Sequence, residues 1–310
     1  MKRLRKAVHN YLAMRRALGF KLRDAGVGLS DFLAFLQRQR ASHITIELAL
    51  QWATQPSHRQ PADWAQRLTW VRGFARYWSA TDPRTEIPPW GLLPHRPGRA
   101  RPYLYTEGEI QKLLKAAKNL PSSHGLRGWT YYCLFGLLAV TGLRISEALT
   151  LARQDVDLHQ GLLTIRHSKF GKSRLVPLHR STQRVLVEYA ERRDRMLGRN
   201  AIASFLVSDC RRSLESSTVR RTFYQLSRQT GLRSPTDHHG PRLHDFRHRF
   251  AVQTLVGWYR SGQDVERRLP ILSTYLGHAH VSDTYWYLSA CPELMGLAKQ
   301  RMERRWEVRS

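Results

Sequence analysis

The chain has 310 residues, of which 51 are Lys or Arg and 24 are Asp or Glu, and its formal net charge is +27. This length predicts two domains, and a hydrophobic content of 42% excludes a disordered chain. The positive charge exceeds what solubility requires, which indicates a polyanionic partner, with nucleic acid first and an anionic membrane surface second.

The apolar and cysteine patterns favour a cytoplasmic protein without membrane contact. The longest apolar stretch, Trp129–Leu143, is interrupted by Thr, Gly and Tyr and predicts a buried helix, since it is too short for a membrane span. No apolar run follows the basic N-terminus, which argues against a signal peptide. The widely spaced Cys133, Cys210 and Cys291 argue against a disulfide framework or a zinc ribbon, and they fit a reducing compartment as small buried apolar residues.

Apolar periodicity predicts several helices in the first 80 residues, with candidates at 4–15, 29–36, 45–54 and 63–80. The last of these places Arg67, Arg72 and Arg76 on the face opposite its apolar stripe. Two interpretations of these arginines stay open, a solvated face and a face that contacts phosphates.

A proline-rich stretch divides the chain. Six prolines with interleaved arginines occur between residues 83 and 102, and proline cannot continue a helix. We therefore predict a helical N-terminal domain over residues 1–95, a linker over 96–105 and a second domain over 106–310. Thr106 and Glu109 have the spacing of a capping box, which predicts a helix from there through Lys118.

The second domain is predicted to be α+β and mostly helical. An apolar helix around 129–140 is followed by a break at Thr141–Gly142 and a helix over 145–152. Residues 161–166 and 174–178 predict two short strands, joined by a basic loop over 167–173. The remainder reads as helix, so the sheet is small.

Four dispersed segments hold the side chains that phosphoryl transfer without a metal requires. Paired guanidinium groups can neutralise the transition state, His and Lys can move protons, and a tyrosine can form a covalent intermediate. The residues of these types are Arg144, Lys169, His244, Arg247, His278 and Tyr287.

These segments resemble the motifs of the tyrosine recombinase (phage-integrase) family, which includes site-specific recombinases and the integrases of mobile elements. The motifs occur in the family's order over roughly residues 105–295. They are TGLRISEAL at 141–149, RLVPL at 174–178 with Lys169 six residues before Leu175, LHDFRH at 243–248, and LGH at 276–278 with Tyr287 nine residues on.

The resemblance implies that Tyr287 attacks a DNA phosphate, giving a 3′-phosphotyrosyl link and a free 5′-hydroxyl. Arg144 and Arg247 would hold the non-bridging oxygens of that phosphate. It also implies an N-terminal helical core-binding domain and a catalytic domain with a small sheet, clamped around duplex DNA.

The remaining implied roles concern proton transfer and support. Lys169 would protonate the leaving 5′-oxygen, His244 would act as general base or acid, and His278 would hydrogen-bond the phosphate. Glu147 and Asp245 would support these side chains.

The resemblance further implies four protomers on two synapsed double-stranded DNA sites, with strand exchange through a Holliday junction. Accessory proteins or a second recombinase could take part, and no metal, nucleotide or other cofactor is needed. The C-terminal helix expected over Glu293–Trp306 would dock on a neighbouring protomer, or it is an ordinary basic helix.

Alternative interpretations stay open at the sequence level. Tyr285 competes with Tyr287 as nucleophile, and only one of them can enter the site. His244 and His248 have the spacing of metal ligands on a helix, with His238, His239 and His280 as further candidates. The same fold could belong to a DNA-binding regulator that does not cut, or to a single-site phosphotyrosine enzyme such as a topoisomerase or hairpin telomere resolvase.

Overall fold

A computed structural model of the chain describes residues 2–55, 59–93, 102–166, 173–198, 202–234, 236–237, 240–288 and 291–307. The chain divides into two compact units, Met1–Ala100 and Arg101–Ser310. Within the described residues, no helix combines the length and the apolar character that a membrane crossing requires.

The first unit is a helical bundle. Its helices are α1 (Lys2–Ala17), α2 (Arg23–Arg38), α3 (Ile46–Thr54) and α4 (Pro61–Trp78). All four were predicted from apolar periodicity, and the structure confirms them. Aromatic side chains fill the core: Phe32, Phe35, Trp52 and Phe74 are fully buried, and the Phe32 and Trp52 rings lie 5.1 Å apart.

The prediction that Arg67 and Arg72 lie on an outward face of α4 is wrong. Both are buried: Arg67 donates to the carbonyl of Trp52 at 3.0 Å, and its guanidinium lies 3.7 Å from the centre of the Trp52 ring. The Arg72 guanidinium donates to the carbonyls of residues 88 and 89 at 2.7 and 2.8 Å. These arginines stabilise the interior of the unit, because their guanidinium groups donate to backbone carbonyls and stack on an aromatic ring.

The second unit is mostly helical. Its helices are α5 (Glu107–Lys118), α6 (Arg127–Thr141), α7 (Ile145–Leu149), α8 (Arg180–Leu197), α9 (Ser216–Gln229), α10 (Asp245–Arg260), α11 (Val265–Leu276), α12 (Ser282–Tyr285) and α13 (Pro292–Glu307). The predicted capping box is confirmed at the start of α5, where Thr106 Oγ1 accepts from the Glu109 amide and Glu109 accepts from the Thr106 amide. Helix α7 ends three residues earlier than the prediction of 145–152.

A three-stranded antiparallel sheet in the order β1-β2-β3 completes this unit. The strands are β1 (Val156–Asp157), β2 (Leu162–Ile165) and β3 (Arg174–Pro177). Leu163 lies opposite both Val156 and Val176. The structure confirms the two predicted strands and the α+β, mostly helical class, whereas the two-residue β1 was missed because it is too short to show alternation.

Two apolar cores position the site. The larger surrounds the buried helix α6, where the rings of Phe135, Phe223 and Phe246 pack within 6.4 Å of one another. The smaller lies between α10, α11 and the chain that follows them, and it includes Tyr287 and Leu294. Helix α10 contributes to both cores, with Phe246 in the larger and residues from Ala251 onward in the smaller.

The three cysteines are free thiols. The prediction of buried cysteines is confirmed for Cys133 and Cys291 and wrong for Cys210, which is exposed.

We predict that Arg72→Gln lowers the free energy of unfolding by roughly 2 to 4 kcal/mol, because it leaves the buried Pro88 carbonyl and the partly buried Pro89 carbonyl without their donor. Arg76 is exposed on the same helix, so Arg76→Gln is the matched control and should stay within about 0.5 kcal/mol of wild type. Urea denaturation measures both, and equal losses would contradict the buried role of Arg72.

Candidate active site

Arg144 stands at the start of α7, directly after the break that ends α6. Its Nη1 donates to Glu147 Oε1 at 2.8 Å, and its Nη2 donates to the Gly277 carbonyl at 2.9 Å. A guanidinium has five N–H donors, so these bonds fix its orientation and leave donors for a further acceptor. The first-arginine motif is thus joined to the LGH motif, 133 residues away.

Arg247 lies in the first turn of α10 and is 1% exposed. Its Nη1 donates to the Gly142 carbonyl at 2.9 Å and its Nη2 to the Leu276 carbonyl at 2.5 Å. Burial lowers the pKa of Arg247 to about 10, opposed by the nearby Tyr287, and the positive charge of Arg144 lowers it further. The guanidinium therefore remains charged at neutral pH.

Two helix ends supply the carbonyls that hold the arginines. Gly142 and Gly277 cap α6 and α11 with φ of 62° and 67°, a left-handed conformation that glycine adopts without steric cost. The last carbonyls of a helix lack partners within it and carry partial negative charge. Here the guanidinium groups of Arg144 and Arg247 donate hydrogen bonds to carbonyls at these helix ends, so the glycine turns provide the acceptors that hold both arginines.

A third guanidinium, which sequence reasoning did not assign to the site, lies beside Arg144. Arg174, the first residue of β3, donates to Glu147 Oε1 and Oε2 at 3.1 and 2.8 Å and to the Tyr275 carbonyl at 2.6 Å. Burial raises the pKa of the Glu147 carboxyl, but the hydrogen bonds and charges of Arg174 and then Arg144 outweigh burial and hold that pKa at about 2.

The alternation of buried and exposed residues along β3 could have placed Arg174 on the buried face of the strand. Residues two apart on a strand share a face, and Val176 lies fully buried in the core while Leu175 between them is 59% exposed. An arginine on the buried face needs acceptors, which the pattern could have indicated. The particular acceptors could not be predicted, because they come from residues 27 and 101 positions away.

Tyr287 and Tyr285 occupy different environments. Tyr287 is 3% exposed, its ring stacks on His278 with centroids 5.9 Å apart, and its hydroxyl is within hydrogen-bonding reach of Arg247. Tyr285, at the end of α12, is 55% exposed. The structure therefore brings Tyr287 together with the arginines and leaves Tyr285 at the surface.

The two predicted histidines border the same cluster. His278 shares a 2.8 Å hydrogen bond with Thr284 Oγ1 through Nδ1, and burial, followed by the charges of Arg247 and Arg144, lowers its pKa to about 4. Solvent reaches His244 at the start of α10, yet desolvation by the surrounding protein and then the charge of Arg247 lower its pKa as well. Both shifts favour the neutral form of the ring.

His248 connects the nucleophile candidate with His244. Its buried ring lies 4.7 Å from the His244 ring, 4.9 Å from Trp286 and 5.4 Å from Tyr287, measured between centroids. The sequence offered His248 only as a metal ligand. Among the residues that the structure describes, no three His, Cys, Asp or Glu side chains form a group that could hold a metal ion. His238 and His239 lie outside the described residues.

Asp245 binds Arg242 at the start of α10, and its expected support of the catalytic side chains stays a prediction. It is 1% exposed and accepts from the Arg242 amide at 2.8 Å and from the Arg242 guanidinium at 3.1 Å. Lys169 and most of the predicted basic loop lie outside the described residues, so the placement of the expected leaving-group acid stays a prediction.

The C-terminal helix α13 packs on α10 of its own chain. Arg260 Nη2 donates to Glu293 at 2.6 Å, and Arg301 Nη1 donates to the Gln263 carbonyl at 2.6 Å. Its limits, Pro292–Glu307, contain the predicted Glu293–Trp306. Docking of this helix on a neighbouring protomer stays a prediction.

A family model described as the phage integrase family matches residues 104–293, which include every residue of this cluster. The chain belongs to the phage integrase family. The resemblance read from the four motifs is thereby confirmed, and membership supports a role in site-specific recombination.

Curated relatives agree with this assignment. The chain is 58% identical to a putative integrase/recombinase, y4rB, of Sinorhizobium fredii, over the whole of both chains. It is 30% identical to the tyrosine recombinase XerD of Caulobacter vibrioides, over 75% of this chain and 72% of that protein.

Solved structures of integrases share the fold. The Tn1549 transposon integrase in complex with transposon right end DNA aligns with a TM-score of 0.68 at 16% identity, over 96% of this chain and 98% of that one. A lambda integrase dimer bound to a COC′ core site aligns with a TM-score of 0.63 at 18% identity, over 91% and 94% of the two chains.

We predict that Gly277→Ala destabilises the chain more than Gly262→Ala. Both glycines have φ near +68°, so either alanine costs about 1 kcal/mol of left-handed strain. A Cβ at Gly262 meets nothing within 4 Å, whereas one at Gly277 comes within 2.8 Å of Arg174 Nη1. Urea denaturation should show an additional loss of about 1 kcal/mol or more for Gly277→Ala, and equal losses would argue against the packed arrangement.

We predict that stability falls with acidification partly through His278. Its pKa is about 4 in the folded chain against 6.5 in the unfolded chain, so the unfolded state binds more protons between these values. The free energy of unfolding should therefore drop as pH falls from 6.5 to 4. The contribution of this half-buried ring should be about 1 to 2 kcal/mol after allowance for solvent screening.

Chemical denaturation at several pH values measures this dependence. His278→Gln should show a shallower fall than wild type, while His280→Gln, which alters an exposed histidine, should keep the wild-type profile. A His278→Gln profile as steep as that of wild type would contradict the assignment.

Proposed function

We propose that the chain is a site-specific DNA recombinase that cleaves and rejoins DNA through a 3′-phosphotyrosyl intermediate on Tyr287. One observation supports this proposal most strongly. Tyr287 is buried against Arg247 and His278, and the motif residues that meet there come from segments more than 100 positions apart in the chain. Binding DNA alone requires no tyrosine in such a place.

The chemistry follows from the charges of these groups. The Tyr287 oxygen forms a bond to phosphorus and the bond from phosphorus to the 5′-oxygen breaks. Negative charge builds on the non-bridging oxygens, and the donors of Arg144 and Arg247 neutralise it. Because carbonyls already orient both guanidinium groups, little reorganisation is needed when the phosphate arrives.

Proton transfer completes the reaction. His244 is neutral before DNA binds, so it can accept the proton of the Tyr287 hydroxyl, directly or through water. Lys169 is the donor that we assign to the leaving 5′-oxygen. His278, oriented by Thr284, contributes a hydrogen bond to the phosphate. Rejoining runs the same steps in reverse, with a 5′-hydroxyl attacking the phosphotyrosine.

The proposed partner is duplex DNA carrying recombination sites. The charge of +27 favours binding dominated by phosphate contacts and weakened by salt. A lambda integrase tetramer bound to a Holliday junction aligns with a TM-score of 0.60 at 19% identity, which supports a homo-tetramer that exchanges strands through such a junction. We also propose an origin in a mobile element and action in the cytoplasm.

We predict that the covalent adduct depends on Tyr287 and not on Tyr285. The assay incubates the protein in EDTA with suicide substrates made from candidate sites at the flanks of its gene, followed by SDS gel electrophoresis. Wild type and Tyr285→Phe should form an adduct that survives SDS, and Tyr287→Phe should form none while binding DNA as wild type does. Both substitutions remove one hydroxyl, so they are matched.

The other outcomes each have a distinct meaning. An adduct that persists in Tyr287→Phe and vanishes in Tyr285→Phe would assign the nucleophile to Tyr285. Tight DNA binding without an adduct in any variant, on every site tested, would favour a DNA-binding regulator that does not cut.

A further inference from the structure

Two guanidinium groups at the site share one carboxylate. Glu147, whose side chain is 4% exposed, accepts from the guanidinium groups of both Arg144 and Arg174. Its Oε2 also accepts from the Arg144 amide at 3.0 Å. The side chains of Arg174 and Arg144 are 9% and 19% exposed, so solvent screens this cluster weakly.

The charge of this cluster depends on Arg174. Two guanidinium groups on one carboxylate leave a net charge of +1 beside the place where we put the phosphate, whereas Arg144 and Glu147 alone would form a neutral pair. A neutral buried ion pair stabilises the additional negative charge of the transition state far less than a cluster with a surplus positive charge does. Glu147 would also be free to compete with the phosphate for the donors of Arg144.

Arg174 fixes geometry as well as charge. Its Nε donates to the Tyr275 carbonyl at 2.6 Å, near the end of α11, and the Gly277 carbonyl, two residues further on, accepts a hydrogen bond from Arg144. A Cβ on Gly277 would lie 2.8 Å from Arg174 Nη1 and 3.5 Å from Arg144 Nη1, so the two guanidinium groups pack over the same glycine. The strand β3, the end of α11 and the start of α7 are joined through Arg174.

We propose that Arg174 is a positioning residue for DNA cleavage, which holds Glu147 so that Arg144 keeps its positive charge and orientation available to the scissile phosphate. This inference rests on the proposed function. Arg174 acts through Arg144 and does not touch the phosphate, so its loss slows cleavage and leaves DNA affinity nearly unchanged.

The test compares single-turnover adduct formation on two suicide substrates. One carries the natural phosphodiester, and the other carries a methylphosphonate, in which a methyl group replaces one charged non-bridging oxygen. Arg174→Gln should slow cleavage of the phosphodiester about 100-fold, and Arg174→Lys, which keeps the charge without the fork geometry, should lose less. On the neutral methylphosphonate, the deficit of Arg174→Gln should shrink at least about 10-fold.

Arg193→Gln is the matched control. Arg193 is also buried, donates to the carbonyls of Ile202 and Ser204 and pairs with Asp194, but it belongs to α8 and contacts no residue of the site. Any loss of activity that it shows through lower stability should be equal on both substrates. Thermal unfolding confirms that each variant is folded at the assay temperature.

The outcomes separate the two proposals. Equal deficits of Arg174→Gln on both substrates, or a loss of DNA affinity as large as the loss of rate, would overturn the positioning role while leaving Tyr287 as nucleophile. An absence of adduct with wild type on every substrate would instead overturn the proposed function, and the role of Arg174 with it. Rescue by the methylphosphonate and by Arg174→Lys supports the inference.

Discussion

The buried charge of Arg247 is the constraint on which the site depends. A guanidinium that is 1% exposed must be given acceptors, because an uncompensated charge in the interior costs several kcal/mol. The carbonyls of Gly142 and Leu276 provide them at the ends of α6 and α11. These bonds hold the two helix ends together. They thereby fix the turn at Gly142, which precedes Arg144, and the turn at Gly277, whose carbonyl accepts a hydrogen bond from Arg144. The need to give the buried Arg247 guanidinium its acceptors therefore determines where the other candidate groups of the site lie.

Much of the fold could be predicted from local sequence. A capping box, apolar periodicity and strand alternation each act over a few residues, and they gave α5, the helices of the first unit and the strands β2 and β3. The prediction for Arg67 and Arg72 was wrong because periodicity shows which side of a helix is apolar but not whether carbonyls and rings from elsewhere cover the other side. The two-residue β1 escaped because it depends wholly on pairing with β2.

The sequence indicated which residues belong to the candidate site better than it indicated how they contact one another. The motifs singled out Arg144, His244, Arg247, His278 and Tyr287, and the structure brings these side chains into one cluster, although their catalytic roles stay predictions. Proximity to Tyr287 could not be inferred for His248, nor could the sharing of Glu147 between two arginines, because both depend on contacts between distant segments. Strand alternation could have indicated that Arg174 faces inward, but not which acceptors it meets there. The candidate site thus forms where local motifs meet at helix ends.

The most direct test of the central claim is to map the covalent bond itself. The trapped DNA adduct would be digested with nuclease and trypsin, and the peptide Leu269–Lys299, which contains Tyr275, Tyr285 and Tyr287, would be sequenced by mass spectrometry. We expect the nucleotide phosphate on Tyr287, linked through its 3′-oxygen. A phosphate on Tyr285 or Tyr275, or a 5′-linked nucleotide, would contradict the account of the site given by Arg144, Arg247 and the buried tyrosine.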